Sequence, residues 1–153
     1  VAADQLAPFD NVYLYAGSAQ GGAARIFTDL PGNIYGEAAP SWGGLFITGP
    51  LNWTVNNRLE IAAGAFNAPA SGPVDARISA AYVLLAGSDS ARVAGTSTLT
   101  VNAQTIDLQG QSNPTKAGDP VKGLDFAGFS QVNLIASGDI RFGTLKVADG
   151  LKN

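Results

Sequence analysis

Residues Thr98–Gly110, TLTVNAQTIDLQG, decide the fold. Apolar and polar residues alternate from Leu99 to Ala103, the alternation hitches there, and it resumes at Ile106 and Leu108 before stopping at glycine. Alternation with period two belongs to a strand with one buried face. The hitch after Ala103 therefore separates two short strands, with Leu99 and Val101 inward on the first and Ile106 and Leu108 inward on the second.

The pattern recurs along the chain. ISAAYVLLAG (Ile78 to Gly87) lies over VNAQTIDLQG (Val101 to Gly110) without a gap, matching Ile78 with Val101, Ala80 with Ala103, Val83 with Ile106, Leu85 with Leu108 and Gly87 with Gly110. LEIAAGAF (Leu59 to Phe66) is laid with Leu59 on Leu99, Ile61 on Val101, Ala63 on Ala103 and Phe66 on Ile106. VNLIASGDIRFG places Val132 on Leu99, Leu134 on Val101 and Ala136 on Ala103, then needs one inserted residue to bring Ile140 to Ile106 and Phe142 to Leu108. GTLKVADG starts the unit again, with Leu145 and Val147 in the positions of Leu99 and Val101.

The unit reads apolar-x-apolar-x-Ala-x-x-apolar-x-apolar, usually closed by glycine. Ala63, Ala80, Ala103 and Ala136 are expected at the bend, where a small side chain lets the chain change direction. Inserts between copies vary in length and are rich in turn formers, as in NAPASGPVD (Asn67 to Asp75) and GQSNPTKAGDP (Gly110 to Pro120). One bent pair of strands cannot bury its narrow apolar face alone. Stacked in parallel at about 4.8 Å, like residues form columns and each backbone donor and acceptor finds a partner in the next copy. An all-β fold is expected, a parallel β-helix in particular, with an antiparallel β-sandwich as the alternative.

Composition agrees. The 153 residues, 46% apolar and 14% charged, suffice for one domain with a real core, and so few charges do not suit long helices. A net charge of −3 with nine scattered basic residues argues against nucleic acid and against adsorption to anionic membranes. No apolar run approaches the roughly 20 residues that span a bilayer, and no secretory signal pattern stands at the N-terminus. The chain begins at Val1 and contains no methionine, so it is read as a piece of a longer or processed protein, with any targeting signal outside it.

The chain has neither histidine nor cysteine. Ser-His-Asp and Cys-His catalysis, the common zinc and iron-sulfur sites and disulfides are thereby excluded, and neither a cofactor nor a metal is expected. Catalysis would have to rest on carboxylate, Tyr, Lys or Arg. Residues 1–50 do not fit the unit: NVYLYAG, ARIFTD and GLFITGP look like short strands separated by Gly- and Pro-rich stretches. They are read as an irregular N-terminal β segment or cap, and residues 51–153 as the repeat region.

STLTVNAQTIDLQG followed by FSQVNLIASGDIRFGTL resembles the repeat region of filamentous haemagglutinin-type large exoproteins, and GDIRF (Gly138 to Phe142) is its most family-like part. The resemblance covers roughly residues 51–150. It implies a right-handed parallel β-helix within a surface fibre, exported by two-partner secretion and located at the bacterial outer membrane or secreted. Its implied partners are a host-cell or bacterial surface protein or glycan and the rest of the parent fibre.

Candidate chemistry is sparse. Asp139 and Arg141 point outward together, and the alignment sets Arg141 in the column of Asp107, which favours an ion pair between neighbouring copies. A lyase-like calcium site would need several converging carboxylates, which this column lacks. Asp119 and Asp125 flank PVKGL in the longest insert; a glycosidase pair is the sharper reading and solvated turn residues the plainer one. Trp42, Tyr35 and Phe46 are the candidate binding residues of an aromatic-rich N-terminal region that includes Tyr13 and Tyr15, with burial in a cap as the alternative. Asn52-Trp53-Thr54 matches the N-glycosylation pattern, and proline spoils Asn113-Pro114-Thr115. The expected role is a non-catalytic structural and adhesive segment whose loops attach to cells or surfaces. The alternatives are a β-helix carbohydrate-active enzyme fragment, either a polysaccharide lyase or a glycosidase, and a trimeric spike.

Overall fold

The structure, a computed structural model, describes residues 6–16, 25–27, 44–69, 72–87, 93–110 and 124–144. Its regular structure is all β, with no helix among the described residues. The strands are β1 (Asn11–Tyr15), β2 (Arg25–Phe27), β3 (Leu45–Phe46), β4 (Leu51–Thr54), β5 (Arg58–Ala63), β6 (Phe66–Asn67), β7 (Asp75–Gly87), β8 (Ser97–Gly110), β9 (Phe126–Ala127), β10 (Phe129–Ala136) and β11 (Ile140–Thr144).

Two sheets result. The larger has eight strands on the path β10-β8-β7-β5-β1-β2, with β11 also on β8 and β4 also on β7; the smaller is β3-β6-β9. The long strands β7 and β8 explain the branching. The first half of β7 receives β4 and its second half receives β5, while β8 receives β10 and then β11 in the same way. Every pairing is parallel except β1 with β2. An antiparallel sandwich is therefore not what these strands build.

Register follows the repeat. Ile78 pairs with Val101 and Val101 with Leu134, Ala80 with Ala103 and Ala103 with Ala136, Val83 with Ile106 and Ile106 with Ile140. Inward residues alternate as Leu99, Val101, then Ile106 and Leu108, all buried. Ala80, Ala103 and Ala136 pack at the edge of the core where the alternation changes phase. Each fully buried Leu, Ile or Val removes enough apolar surface from water to contribute about 1.5–3 kcal/mol before chain entropy is counted. The columns are thus the main source of stability.

One copy sits elsewhere than its alternation suggests. Leu59 pairs with Val83, Ile61 with Leu85 and Ala63 with Gly87, so LEIAA forms the second half of a unit, not the first. Its first half is LNWT, where Leu51 pairs with Ala76 and Trp53 with Ile78. Val55, just after β4, donates its amide to the Ser79 carbonyl and so stands beside Ala80 at the bend. Ala63 is therefore no bend residue, and Phe66 lies in the small sheet between Leu45 and Phe126, its ring centroid 5.4 Å from that of Phe126. Both halves of the unit alternate alike, which is why alternation alone mistook one for the other.

Pairing also links β1 and β3 to the repeat. β1 extends the large sheet beside β5, with Val12 on Leu59 and Leu14 on Ile61, and β3 extends the small sheet beside β6. Leu6, Val12 and Leu14 are buried in the same core cluster as the columns. The small sheet also closes up: β6 pairs directly with β9, because the connection from β7 to β8 supplies no strand there among the described residues. Gly128 makes the close approach feasible. Its φ is +80°, its amide donates to the Val93 carbonyl at 2.7 Å, and a Cβ there would collide with the Ala68 carbonyl.

Candidate functional site

Outward residues of the second half-strands meet in one polar ladder. The register brings Arg58 beside Tyr82, Glu60 beside Leu84, Leu84 beside Asp107 and Asp107 beside Arg141. Parallel neighbours stand close enough for long side chains to reach across a strand. Arg141 does so as a fork, its Nε donating to Asp107 Oδ1 at 2.5 Å and its Nη2 to Oδ2 at 2.7 Å. The Tyr82 hydroxyl donates to the same Oδ2 at 2.6 Å from the other side. The Arg58 guanidinium stacks 4.3 Å above the Tyr82 ring and pairs with Glu60, which also accepts from the Tyr15 hydroxyl at 3.4 Å.

The charges respond to this setting. Burial alone would raise the Asp107 carboxyl, yet the hydrogen bonds from Arg141 and Tyr82 outweigh it and hold the group below the usual carboxylate range. Tyr82 is pushed up to about 12 by burial and by its bond to the Asp107 carboxylate. For Arg58, burial opposes the charge, but the bond and attraction to Glu60 prevail and its pKa rises. Glu60 is 5% exposed and Asp107 is fully engaged, so neither carboxylate faces a substrate as a free base. Among the described residues no group of three or more Asp and Glu could hold a metal ion.

An open groove of about 420 Å³ lies at the bend, lined by the polar Thr54, Asn56, Ser79 and Asn102 together with Val55 and the alanines at 80, 81 and 103. No charged side chain lines it. Thr54 pairs with Ser79 and Ser79 with Asn102, so one polar position repeats along its wall, and Ile135 continues the row beyond Asn102, 54% exposed.

The other candidates are dispersed. Phe46, on β3, is 70% exposed, while Tyr35 and Trp42 lie outside the described residues, as do Asp119, Leu145 and Val147. Asp125 is half-buried just before β9: its Oδ1 accepts the Phe126 amide at 2.8 Å, its carbonyl accepts the Phe66 amide at 3.0 Å, and its Oδ2 is buried without a hydrogen-bond partner. Asn52 and Thr54 are exposed and Trp53 is buried between them. Sequence reasoning brought Asp107 and Arg141 together but missed Arg58, Glu60 and Tyr82. The available signal was the register of β5, which sets Arg58 against Tyr82 once LEIAA is read as a second half.

Among the described residues no helix is long and apolar enough to cross a membrane. Comparison with protein-family models, with curated proteins and with solved structures found no match to this chain.

Proposed function

We propose that this chain is a non-catalytic structural and adhesive segment of a secreted or bacterial-surface exoprotein of the filamentous haemagglutinin type. In this reading the parallel strands are coils of a right-handed parallel β-helix, the hand that crossovers between parallel strands adopt almost always. β1 and the antiparallel β2 serve as its N-terminal cap. The observation that carries it is the shared register of β4, β7, β8 and β10 and of β5, β7, β8 and β11, in which apolar residue follows apolar residue down each column. Such a stack is a rigid spacer. Attachment is assigned to the turn-rich inserts between copies and to the neutral groove at the bend.

A carbohydrate-active enzyme finds less support, because Glu60 and Asp107 are each held by an arginine and a tyrosine. The test is adhesion. Beads coated with the purified chain should bind epithelial cells or bacteria above an albumin control, and pretreating the cells with periodate or protease tells a glycan partner from a protein one. Binding no greater than the control on every surface tried would sink the adhesive half of the reading.

A further inference from the structure

The outward rows of the large sheet differ in how far their polar groups are already engaged. On the second half-strands Arg58, Glu60, Tyr82, Asp107 and Arg141 bind one another. On the first half-strands Gln131 donates to Asn133 at 2.8 Å, Asn133 to Thr100 at 3.4 Å and Arg77 to Asp75 at 3.3 Å. The row of Thr54, Ser79 and Asn102 is different: none of these three side chains has a hydrogen-bond partner among the described residues. They line the groove at the bend, where the small side chains of Ala80, Ala81 and Ala103 leave room, and its volume of about 420 Å³ is that of a small-ligand site. The lining comes from β4 and the residues just after it, from β7 and from β8. These are neighbours in the sheet, so a ligand lying there crosses about 10 Å of adjacent strands.

We propose that this groove binds a neutral, extended glycan chain laid across the strands. The hydroxyls of Thr54 and Ser79 and the amide of Asn102 offer both donors and acceptors, as the hydroxyls of a sugar require. No charged side chain lines the groove, and Arg77, two residues from Ser79 on β7, is paired with Asp75. A sulfate or carboxylate entering there would give up water without gaining a counter-charge. The alanine methyls suit the apolar face of a pyranose ring. Thr54, Ser79 and Asn102 recur at the strand spacing of about 4.8 Å, and an extended β-1,4-linked chain advances by close to that distance per sugar. Successive sugars then meet equivalent polar positions, a register that a coiled α-1,4-linked chain cannot keep. A peptide would look for backbone partners, and those of β4, β7 and β8 are taken up in the pairing of these strands with one another. This inference rests on the adhesive reading, for which it names the class of ligand.

The experiment is titration of the isotope-labelled whole chain with cellohexaose, followed through amide shifts by NMR, with circular dichroism of each variant as the check on folding. The shifts should saturate with a Kd at or below about 1 mM and centre on Thr54, Ser79, Ala81 and Asn102. Maltohexaose, which coils, and hexagalacturonate, which is charged, should bind about tenfold more weakly or worse. Asn102→Ala should weaken cellohexaose about fivefold, the worth of one hydrogen bond. Ala81→Glu, at an exposed position, should weaken it about tenfold or more by filling the groove with an unpaired charge. Gln131→Ala, exposed and outside the groove, should leave it unchanged. No saturable shift, shifts centred elsewhere, equal binding of the coiled or charged hexamer, or indifference to both groove substitutions overturns the proposal. Coated beads that adhere to cells although cellohexaose does not bind overturn it and leave the adhesive reading standing; beads that adhere to nothing while cellohexaose binds do the reverse.

Discussion

At the β1 end of the large sheet the apolar columns finish in the core, and at the β11 end they finish in solvent. Leu14, with β2 beyond it, and Phe142 stand toward opposite ends of the same column, one buried at 8% exposure and the other exposed at 79%. The same alternation produced both, so alternation places a side chain on a face without deciding whether that face is covered. Cover comes from a neighbouring strand. β1 lies between β5 and β2 with Leu6 and the rest of the core cluster against it, whereas among the described residues β11 pairs with β8 alone.

Substitution along this column breaks the molecule most severely at its centre. Leu85→Ala, in the middle of the column, should cost about 2–5 kcal/mol in denaturant unfolding, because a cavity opens among strands that cannot collapse around it. Leu14→Ala at the covered end should approach that cost, whereas Phe142→Ala at the open end should stay within about 0.5 kcal/mol. Equal costs at the two ends would mean that the open end is covered in solution. Gly128→Ala comes next. It forces a left-handed backbone on a residue with a Cβ and drives that Cβ into the Ala68 carbonyl, at an expected cost of about 1–3 kcal/mol by thermal unfolding.

The ladder sharpens the comparison further, since it fastens the open-end strand to the body of the sheet. Tyr82→Phe should cost about 1.5 kcal/mol at neutral pH, the net value of a hydrogen bond to a carboxylate. Tyr82 has a raised folded pKa of about 12, so its contribution is complete below the unfolded value of about 10 and is lost as pH climbs from there toward 12. The wild type should therefore lose stability over that alkaline interval, and the phenylalanine variant should be flatter. Asp107 has the opposite sign. Its folded pKa is depressed, so its contribution is present above the unfolded value of about 3.9 and fades as pH falls below it. Asp107→Asn should be destabilised at neutral pH and should show a shallower acid limb; acid limbs of equal slope would mean that Asp107 does not stabilise the fold through its charge. The smallest effect belongs to Asp75→Ala, whose exposed pair with Arg77 should register within about 0.5 kcal/mol.

The register of β7, β8, β10 and β11 could be read from the sequence, down to the residue inserted between Ala136 and Ile140, because like residues in parallel strands must share a column. The same reading set Arg141 against Asp107. It failed at LEIAA, where one apolar alternation serves either half of the unit, and with that slip it lost Arg58, Glu60 and Tyr82 from the ladder. Ala63 was assigned to the bend for the same reason, although Val55 occupies that place.

What the sequence determined alone was periodicity: which residues alternate, where the alternation changes phase at Ala80, Ala103 and Ala136, and that an all-β chain follows. Tertiary structure decided which half-strands are neighbours, that β6 meets β9 directly, and which columns end covered. The physical reason is that side-chain alternation is a property of one strand, whereas register, the approach of Gly128 to Ala68 and the burial of Leu14 against the exposure of Phe142 belong to pairs of strands brought together from distant parts of the chain.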